Sequence, residues 1–426
     1  MGKRVNFIVL GVLVLISLYT GNAIAPTQTT EIDPGDTAWM LVAAAFVLLM
    51  TPGLAFFYGG MVDRKNVIST MMQSFVALGV VSILWVIVGF SLAFGESIGG
   101  IIGDPRTYFN FNGVGLNPNP AFAESIPFLL FALFQLKFAI ITPALITGSF
   151  AGRVRFRGYI LFMVLFTLFI YAPLAHMTWH PDGLLRYWGV LDFAGGTVVH
   201  MSAGFAALAG AVYLGKRKTV SHNPANIPFI ILGTGLLWFG WFGFNSGSAL
   251  GANKDAVLAF ANTNFASASA MITWMFYERF QNRKMSALGA CVGAIVGLVA
   301  ITPAAGFVTP AQSIFIGAVA SLTSNFAIRL FSKTGIDDTL DVFPSHGVGG
   351  IMGMLLTAFF AKDVGVVYGT YNTFLVHVLA LVLVAIFTFF GSLVLYKLVD
   401  LLLTLRVTAE QEARGLDDSQ HGEHVH

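Results

Sequence analysis

The chain has 426 residues, 23 Lys plus Arg against 21 Asp plus Glu, a net charge of +2, and 56% hydrophobic but only 10% charged residues. Soluble domains carry about 25% charged residues, so this composition, with a mean hydropathy of +0.78, excludes a soluble globule and specifies a polytopic membrane protein. The near-neutral balance offers no basic surface for nucleic acid, and the one cysteine, Cys291, excludes an intramolecular disulfide and reads as a small core residue.

In chain order, Lys3 and Arg4 precede an apolar run over 7–18, and small residues follow over 21–25. This is the pattern of a signal peptide, cleaved after Ala23 or Ala25. An uncleaved first helix is the competing reading, and the short apolar core argues against it. The expected organisation is a leader over 1–25, a membrane domain over 26–403 and a tail over 404–426.

Beyond the leader, apolar runs of about 20 residues, the length a bilayer demands, recur eleven times, at 38–62, 67–95, 126–151, 158–177, 194–214, 227–248, 257–277, 286–305, 311–331, 340–361 and 371–403. The fold class is therefore all-α, with eleven transmembrane helices. The last run is long enough to project beyond the membrane.

Positive charges set the sidedness. Arg64, Lys65, Arg153, Arg155, Arg157, Lys216, Arg217, Lys218, Arg279, Arg283, Lys284, Arg329, Lys333, Arg406 and Arg414 all close or follow odd-numbered runs. Arg106, Arg186, Lys254 and Lys362 follow even-numbered ones. Fifteen against four places the mature N-terminus outside and the C-terminus in the cytoplasm.

Two histidines stand inside apolar runs, where an ionisable group marks a functional site by default. His200 closes DFAGGTVVH (192–200) in run five, and His346 lies in DVFPSHGVGG (341–350) in run ten. An aspartate stands eight residues before each, Asp192 and Asp338. Eleven runs divide as five, five and one. An odd-numbered half forces the second to be inverted, so the expectation is a 5+5 inverted repeat plus a long final helix, with one site at its interface.

At this point the motifs resemble the ammonium transporters, the Amt/Mep/Rh family, and bacterial Amt-type members in particular. DFAGGTVVH, GWFGFNSGSA (240–249), FQ-x-x-FA (134–139) and D-V-F-x-x-HGVGG (341–350) match in order, and LRVTAEQEARGLDDSQHGE (405–423) looks like the bacterial tail. The resemblance implies uptake of ammonium across a bacterial inner membrane by a homotrimer with one pore per subunit. It implies an outer recruitment site at Trp179, Phe138 and Ser248, a gate of two phenylalanines at Phe138 and Phe244, and pore histidines at His200 and His346. It places Asp192 at the entrance, orienting backbone, with a part in proton transfer also proposed in the family. It also implies closure of the cytoplasmic face by a PII-type signalling protein.

The residues bear independent readings too. A dry pore gives an intact cation no hydration, and burying it costs many kcal/mol, whereas an aromatic face attracts a desolvated cation by about 2 kcal/mol. Taken singly, Trp179 could be an interfacial belt residue, and an intramembrane histidine could be an interhelical staple. His377 is read as such a staple, and His176 and His180 as structural or solvated. Asp192 opens a helix at a glycine turn, where a carboxylate accepts backbone N–H bonds; direct contact with substrate is the sharper alternative.

The chain also departs from the family pattern. Lys137 sits mid-run beside Phe138, read as pairing or snorkelling, with a pore-facing cation as the alternative. Gly152 replaces an expected glutamate, the segment 179–183 is one residue longer, and Pro344 and Ser345 vary the approach to His346. The end HGEHVH reads as solvated rather than metal-binding; no metal or cofactor is expected, and no nucleophile or ligand set suggests an intramembrane enzyme. The alternative function is an ammonium sensor or transceptor; a carbon dioxide conduit is weaker still.

Overall fold

The computed structural model describes residues 11–16, 18, 31–218 and 223–425. Apart from a helical stretch over 11–16, the expected leader and its cleavage site lie outside these residues. The rest is built of long helices, because only a helix satisfies its own backbone where lipid offers no hydrogen bonds. These are α1 (Pro34–Met61), α2 (Arg64–Phe94), α3 (Phe128–Phe150), α4 (156–179), α5 (Gly196–Leu214), α6 (Ile227–Ala249), α7 (Lys254–Phe280), α8 (Ala287–Ile301), α9 (Pro310–Phe331), α10 (Phe343–Phe360) and α11 (Asn372–Leu403). A short α12 (Ala409–Arg414) lies in the tail.

Each apolar run of the sequence coincides with one helix, with ends displaced by up to four residues. Nine of these helices are long and apolar enough to cross a membrane, and α8 is a shorter apolar one. Helix α7 has the length, 27 residues, but is more polar and carries Lys254, Asp255, Glu278 and Arg279 near its ends.

Local sequence sets the starts. Asp33 accepts from the Asp36 amide at 2.8 Å with Pro34 in the first turn of α1, and Asn226 accepts from the Phe229 amide at 3.0 Å with Pro228 in the first turn of α6. Thr309 and Gln312 form a reciprocal capping box at α9.

Small residues let these helices approach closely. In α6, a Cβ on Gly233 would lie 2.3 Å from the Phe57 amide nitrogen, so α1 and α6 pack backbone against backbone. A Cβ on Gly204 of α5 would lie 2.3 Å from the Gly347 amide nitrogen and 2.4 Å from its Cα in α10. That second crossing joins the two histidine-bearing helices.

The two helices also open alike. Asp192 caps α5, and Asp338 caps α10 by accepting from the Phe343 amide at 2.7 Å. Each then makes one wide π-helical turn, Gly196–Met201 and Phe343–Val348, which carries the histidine. Such turns are found mostly at functional sites, and here they recur in the two halves expected to repeat.

The tail folds back on the face where the odd-numbered helices end. The Asp417 carboxylate accepts from the Ile68 and Ser69 amides at 3.0 and 2.7 Å, at the start of α2. Lys65 donates to the Ala413 carbonyl at 3.0 Å, and Arg406 pairs with Glu412 at 3.1 Å.

The α5–α10 crossing yields a prediction. Because backbone atoms cannot give way, Gly204→Ala should cost about 3 kcal/mol through overpacking. Gly235→Ala, where a Cβ meets nothing within 4 Å, is the matched control and should be neutral or stabilising. Thermal melts of the detergent-solubilised variants, read by size-exclusion monodispersity, test the difference.

Candidate functional site: an aromatic mouth above two histidines

On the side opposite the tail, α3, the end of α4 and the end of α6 converge on an open cavity of about 250 Å³. Trp179, Phe138, Ser248 and Asp192 all line it, with Gln135, Phe131, Phe193, Arg186 and Phe307. The Trp179 ring meets Phe138 edge-on, with centroids 5.7 Å apart, and its indole N–H donates to the Asp192 carbonyl at 3.2 Å. The Ser248 hydroxyl donates to the Phe244 carbonyl at 2.9 Å. Its proton is thereby committed, and its oxygen remains an acceptor.

Asp192 is saturated. One carboxylate oxygen accepts from the Gly195 and Gly196 amides at 2.8 and 2.6 Å, the other from the Thr197 amide and hydroxyl at 2.7 and 2.5 Å. A carboxylate holding four donors at a helix start is a cap. The carboxylate's grip on α5, and the backbone carbonyl's on the Trp179 indole, fix one wall of the mouth.

Below the mouth, Phe138 and Phe244 lie against each other, with centroids 4.2 Å apart and planes tilted by 35°. Both are buried. Past them His200 stacks between neighbours: 6.1 Å to Phe244, 5.4 Å to Trp241 and 5.4 Å to His346, centroid to centroid. The histidine Nδ1 atoms face each other at 3.4 Å. Two ring nitrogens can share only one proton between them, so this contact requires one donor and one acceptor.

The space beside the histidines is narrow, about 10 Å³, and lined by Met50, Leu54, Phe57, Ile141, Leu145, Val199, Leu237 and Ile295. That holds about one water-sized molecule. With an apolar lining and no carboxylate among it, this chamber suits a small neutral molecule and penalises a cation.

At the other end, a cavity of about 230 Å³ is lined by Asp63, Lys65, Arg217, Thr339, Asp341 and Glu412 among others. Asp337 binds Arg217 at 2.8 Å and lies 3.6 Å from the fully buried Arg153. Burial lowers Arg153 to about 10, against the pull of Asp337. Burial, and then Asp338, push Asp341 up to about 7, and burial pushes Asp338 up to about 6.

The remaining polar residues of the helices take structural places. His377 accepts from the Leu191 amide at 2.9 Å and donates to the Met354 carbonyl at 2.9 Å, stapling the approach to Asp192. His176 bonds the Ala93 carbonyl and the Ser97 hydroxyl at 3.0 and 2.8 Å, and stacks on His180 at 4.3 Å. Lys137 is half-buried on the same stripe of α3 as Leu129 and Leu133, and lines neither the mouth nor the histidine chamber. Gly152 has a φ of +77°, and a Cβ there would meet the Asn66 amide; the neighbouring Arg153 holds the ion pair of this loop. Among the described residues no cluster of His, Cys, Asp or Glu could hold a metal.

Four residues of the site escaped the sequence reading. Gln135 lines the mouth with a buried side-chain oxygen that has no partner. Arg186, exposed, lines it and donates to the Trp179 carbonyl at 3.3 Å. Trp241 and Thr302 contact His200 from behind. Gln135 and Trp241 lie inside the quoted motifs, whereas nothing in the sequence marks Thr302.

Comparison with known proteins agrees with this architecture. The model of the Ammonium Transporter Family matches residues 38–426. The chain belongs to the ammonium transporter family. It is 46% identical to the ammonium transporter of Aquifex aeolicus (strain VF5) over 96% of this chain and 97% of that one. It is also 46% identical to that of Bacillus subtilis (strain 168), over 91% and 98%. Among solved structures, Saccharomyces cerevisiae Mep2 superposes with a TM-score of 0.84 at 32% identity, covering 92% of this chain and 93% of that one. A protein described as a sensor Amt protein gives the same TM-score at 32% identity, covering 91% and 98%. The chain is thus a multi-pass membrane protein of a transporter family.

The inner rim makes a pH prediction. A carboxylate raised to about 7 binds its proton more tightly in the folded state, so its contribution is complete below about 4, the ordinary carboxylate range. It is lost as pH rises through 7. Asp341→Asn, which also suits the φ of +53° there, should melt like the wild type near pH 4 and at a higher temperature at pH 8, the gap opening as pH rises toward 7. Equal differences at both pH values would contradict it.

Proposed function

We propose that this chain takes up ammonium across a bacterial inner membrane, recruiting the cation outside and conducting it through the core as ammonia. The observation that carries this reading is a continuous line of rings, Trp179, Phe138, Phe244, His200 and His346, with successive centroid distances of 5.7, 4.2, 6.1 and 5.4 Å. Ammonium is a four-donor cation. In the mouth it meets the faces of Trp179 and Phe138, the free lone pairs of Ser248 and the unpartnered oxygen of Gln135. Arg186 is exposed and solvent-screened, so its repulsion is weak.

The cation loses its proton before the phenylalanine pair, because the chamber below offers an ion no compensation. Asp192, its oxygens filled, orients the entrance backbone. Ammonia passes as the rings of Phe138 and Phe244 part, and moves along His200 and His346, whose polar ring edges line an otherwise apolar track. The proton follows through the histidine pair, which makes the uptake electrogenic, and ammonia is reprotonated at the inner cavity.

The leader over 1–25 is removed, 26–403 forms the membrane domain with its N-terminus outside, and 404–426 is the cytoplasmic tail. The gathering of Lys65, Arg153, Arg217 and Arg406 around that tail supports this orientation. The functional unit is a homotrimer, and the tail is the surface for a PII-type regulator. The likeness to a sensor Amt protein keeps a sensing role as the second reading.

Currents from purified protein on a solid-supported membrane, evoked by ammonium pulses, test the proposal. Saturable charge movement is expected, abolished in the His200→Ala/His346→Ala variant. Trp179→Leu should raise the half-saturating concentration by roughly 30-fold, the equivalent of about 2 kcal/mol of lost cation–π attraction. Ammonium binding without current would favour the sensor reading, and undiminished current in the double variant would sink the histidine path.

A further inference from the structure

The pore histidines are held from behind by a group with no place in the conduction path. Thr302 is buried at the end of α8, and its hydroxyl oxygen has three neighbours: the Leu298 carbonyl at 2.8 Å, the Trp241 indole nitrogen at 2.9 Å and His200 Nε2 at 3.3 Å. A hydroxyl has one proton to give and two lone pairs to receive, a carbonyl only accepts, and an indole N–H only donates.

The hydroxyl proton is committed to Leu298. The amide of Thr302 turns to the Val299 carbonyl at 3.3 Å instead of to Leu298, and residue 303 is a proline without an N–H. If the hydroxyl turned away, the Leu298 carbonyl would lose this donor at a buried helix end, where an orphaned group is costly. One lone pair takes the Trp241 N–H. The other can only receive, so His200 Nε2 must carry a hydrogen.

The rest follows along the chain of contacts. With hydrogen on Nε2, neutral His200 has a bare Nδ1. His346 Nδ1, 3.4 Å away, must then donate, which leaves His346 Nε2 bare.

We propose that Thr302 is a positioning residue that fixes the tautomers of both pore histidines, hydrogen on Nε2 of His200 and on Nδ1 of His346. This rests on the reading of the two histidines as the ammonia path. The pair then has a polarity: donors point from His346 to His200 to Thr302, and the bare nitrogen lies on His346, the histidine farther from the gate. A proton arriving from the gate side meets a pair set against it. It can cross only after both tautomers invert, which opposes Thr302.

The test is nitrogen NMR of ring-labelled histidine in the intact protein in lipid. The pore signals are assigned by difference from His200→Ala and His346→Ala. The shift of each ring nitrogen separates protonated from bare. The wild type should give one bare nitrogen per residue, Nδ1 on His200 and Nε2 on His346. Thr302→Val, similar in volume but without the hydroxyl, should lose this single pattern and show both tautomers at each site. Thr302→Ser should restore it. Trp241→Phe, which removes the indole N–H but not the demand of Leu298, should keep it.

A wild-type spectrum with hydrogen on His200 Nδ1 overturns the assignment without any variant. A Thr302→Val spectrum identical to the wild type overturns the role of Thr302. Absence of ammonium current in the wild type, measured separately, would instead overturn the conduction reading while leaving the tautomers as found.

Discussion

Two imidazoles on different helices can share a proton only if those helices hold the rings within hydrogen-bond reach. The crossing of α5 and α10 at Gly204 and Gly347 meets that condition, with no room for a single methyl group. The contact between the two rings depends on it. The wide turns that carry the histidines begin at aspartate caps, and their geometry aims both rings into one narrow gap. Without the crossing, each histidine would be an isolated polar group in an apolar bundle, at the full cost of its unmet hydrogen bonds.

A consequence is the separation of two tasks along one line. Attracting a cation needs aromatic faces and acceptors near water, and the mouth of about 250 Å³ has both. Passing it on requires a chamber from which a charge is excluded, and the space of about 10 Å³ beside the histidines has an apolar lining. The contact of Phe138 with Phe244 divides the two environments. Phe138 belongs to both, meeting the Trp179 ring edge-on and lying against Phe244.

Much of this was legible in the sequence, for physical reasons. Bilayer thickness fixes helix length, so the apolar runs located every long helix, even the more polar α7. Matched Asp-to-His spacings marked the two equivalent turns, because capping and helical rise are local. What stayed hidden is tertiary. Thr302 carries no local signal; its role comes from three partners on three helices, and from the proline after it. The unpartnered oxygen of Gln135 and the screened charge of Arg186 likewise depend on loops that sequence does not place. Lys137 shows the converse. Its neighbour faces the gate, but one residue turns a helix by about 100°, and Lys137 lies with Leu129 and Leu133 on another face.

The two matched helix starts share geometry but not chemistry. At the outer cap Asp192 holds four donors, leaving a rigid, saturated carboxylate beside Trp179. At the inner cap one oxygen of Asp338 is buried without a hydrogen-bond partner, and Asp341 stands beside it on a left-handed backbone. Burial holds those two acids near 6 and 7, with Asp338 adding to the shift of Asp341. The Asp192 cap is therefore saturated, whereas the Asp338 cap is not. Two helices that open alike thus begin at a saturated carboxylate on one side and at a pair of raised, buried acids on the other.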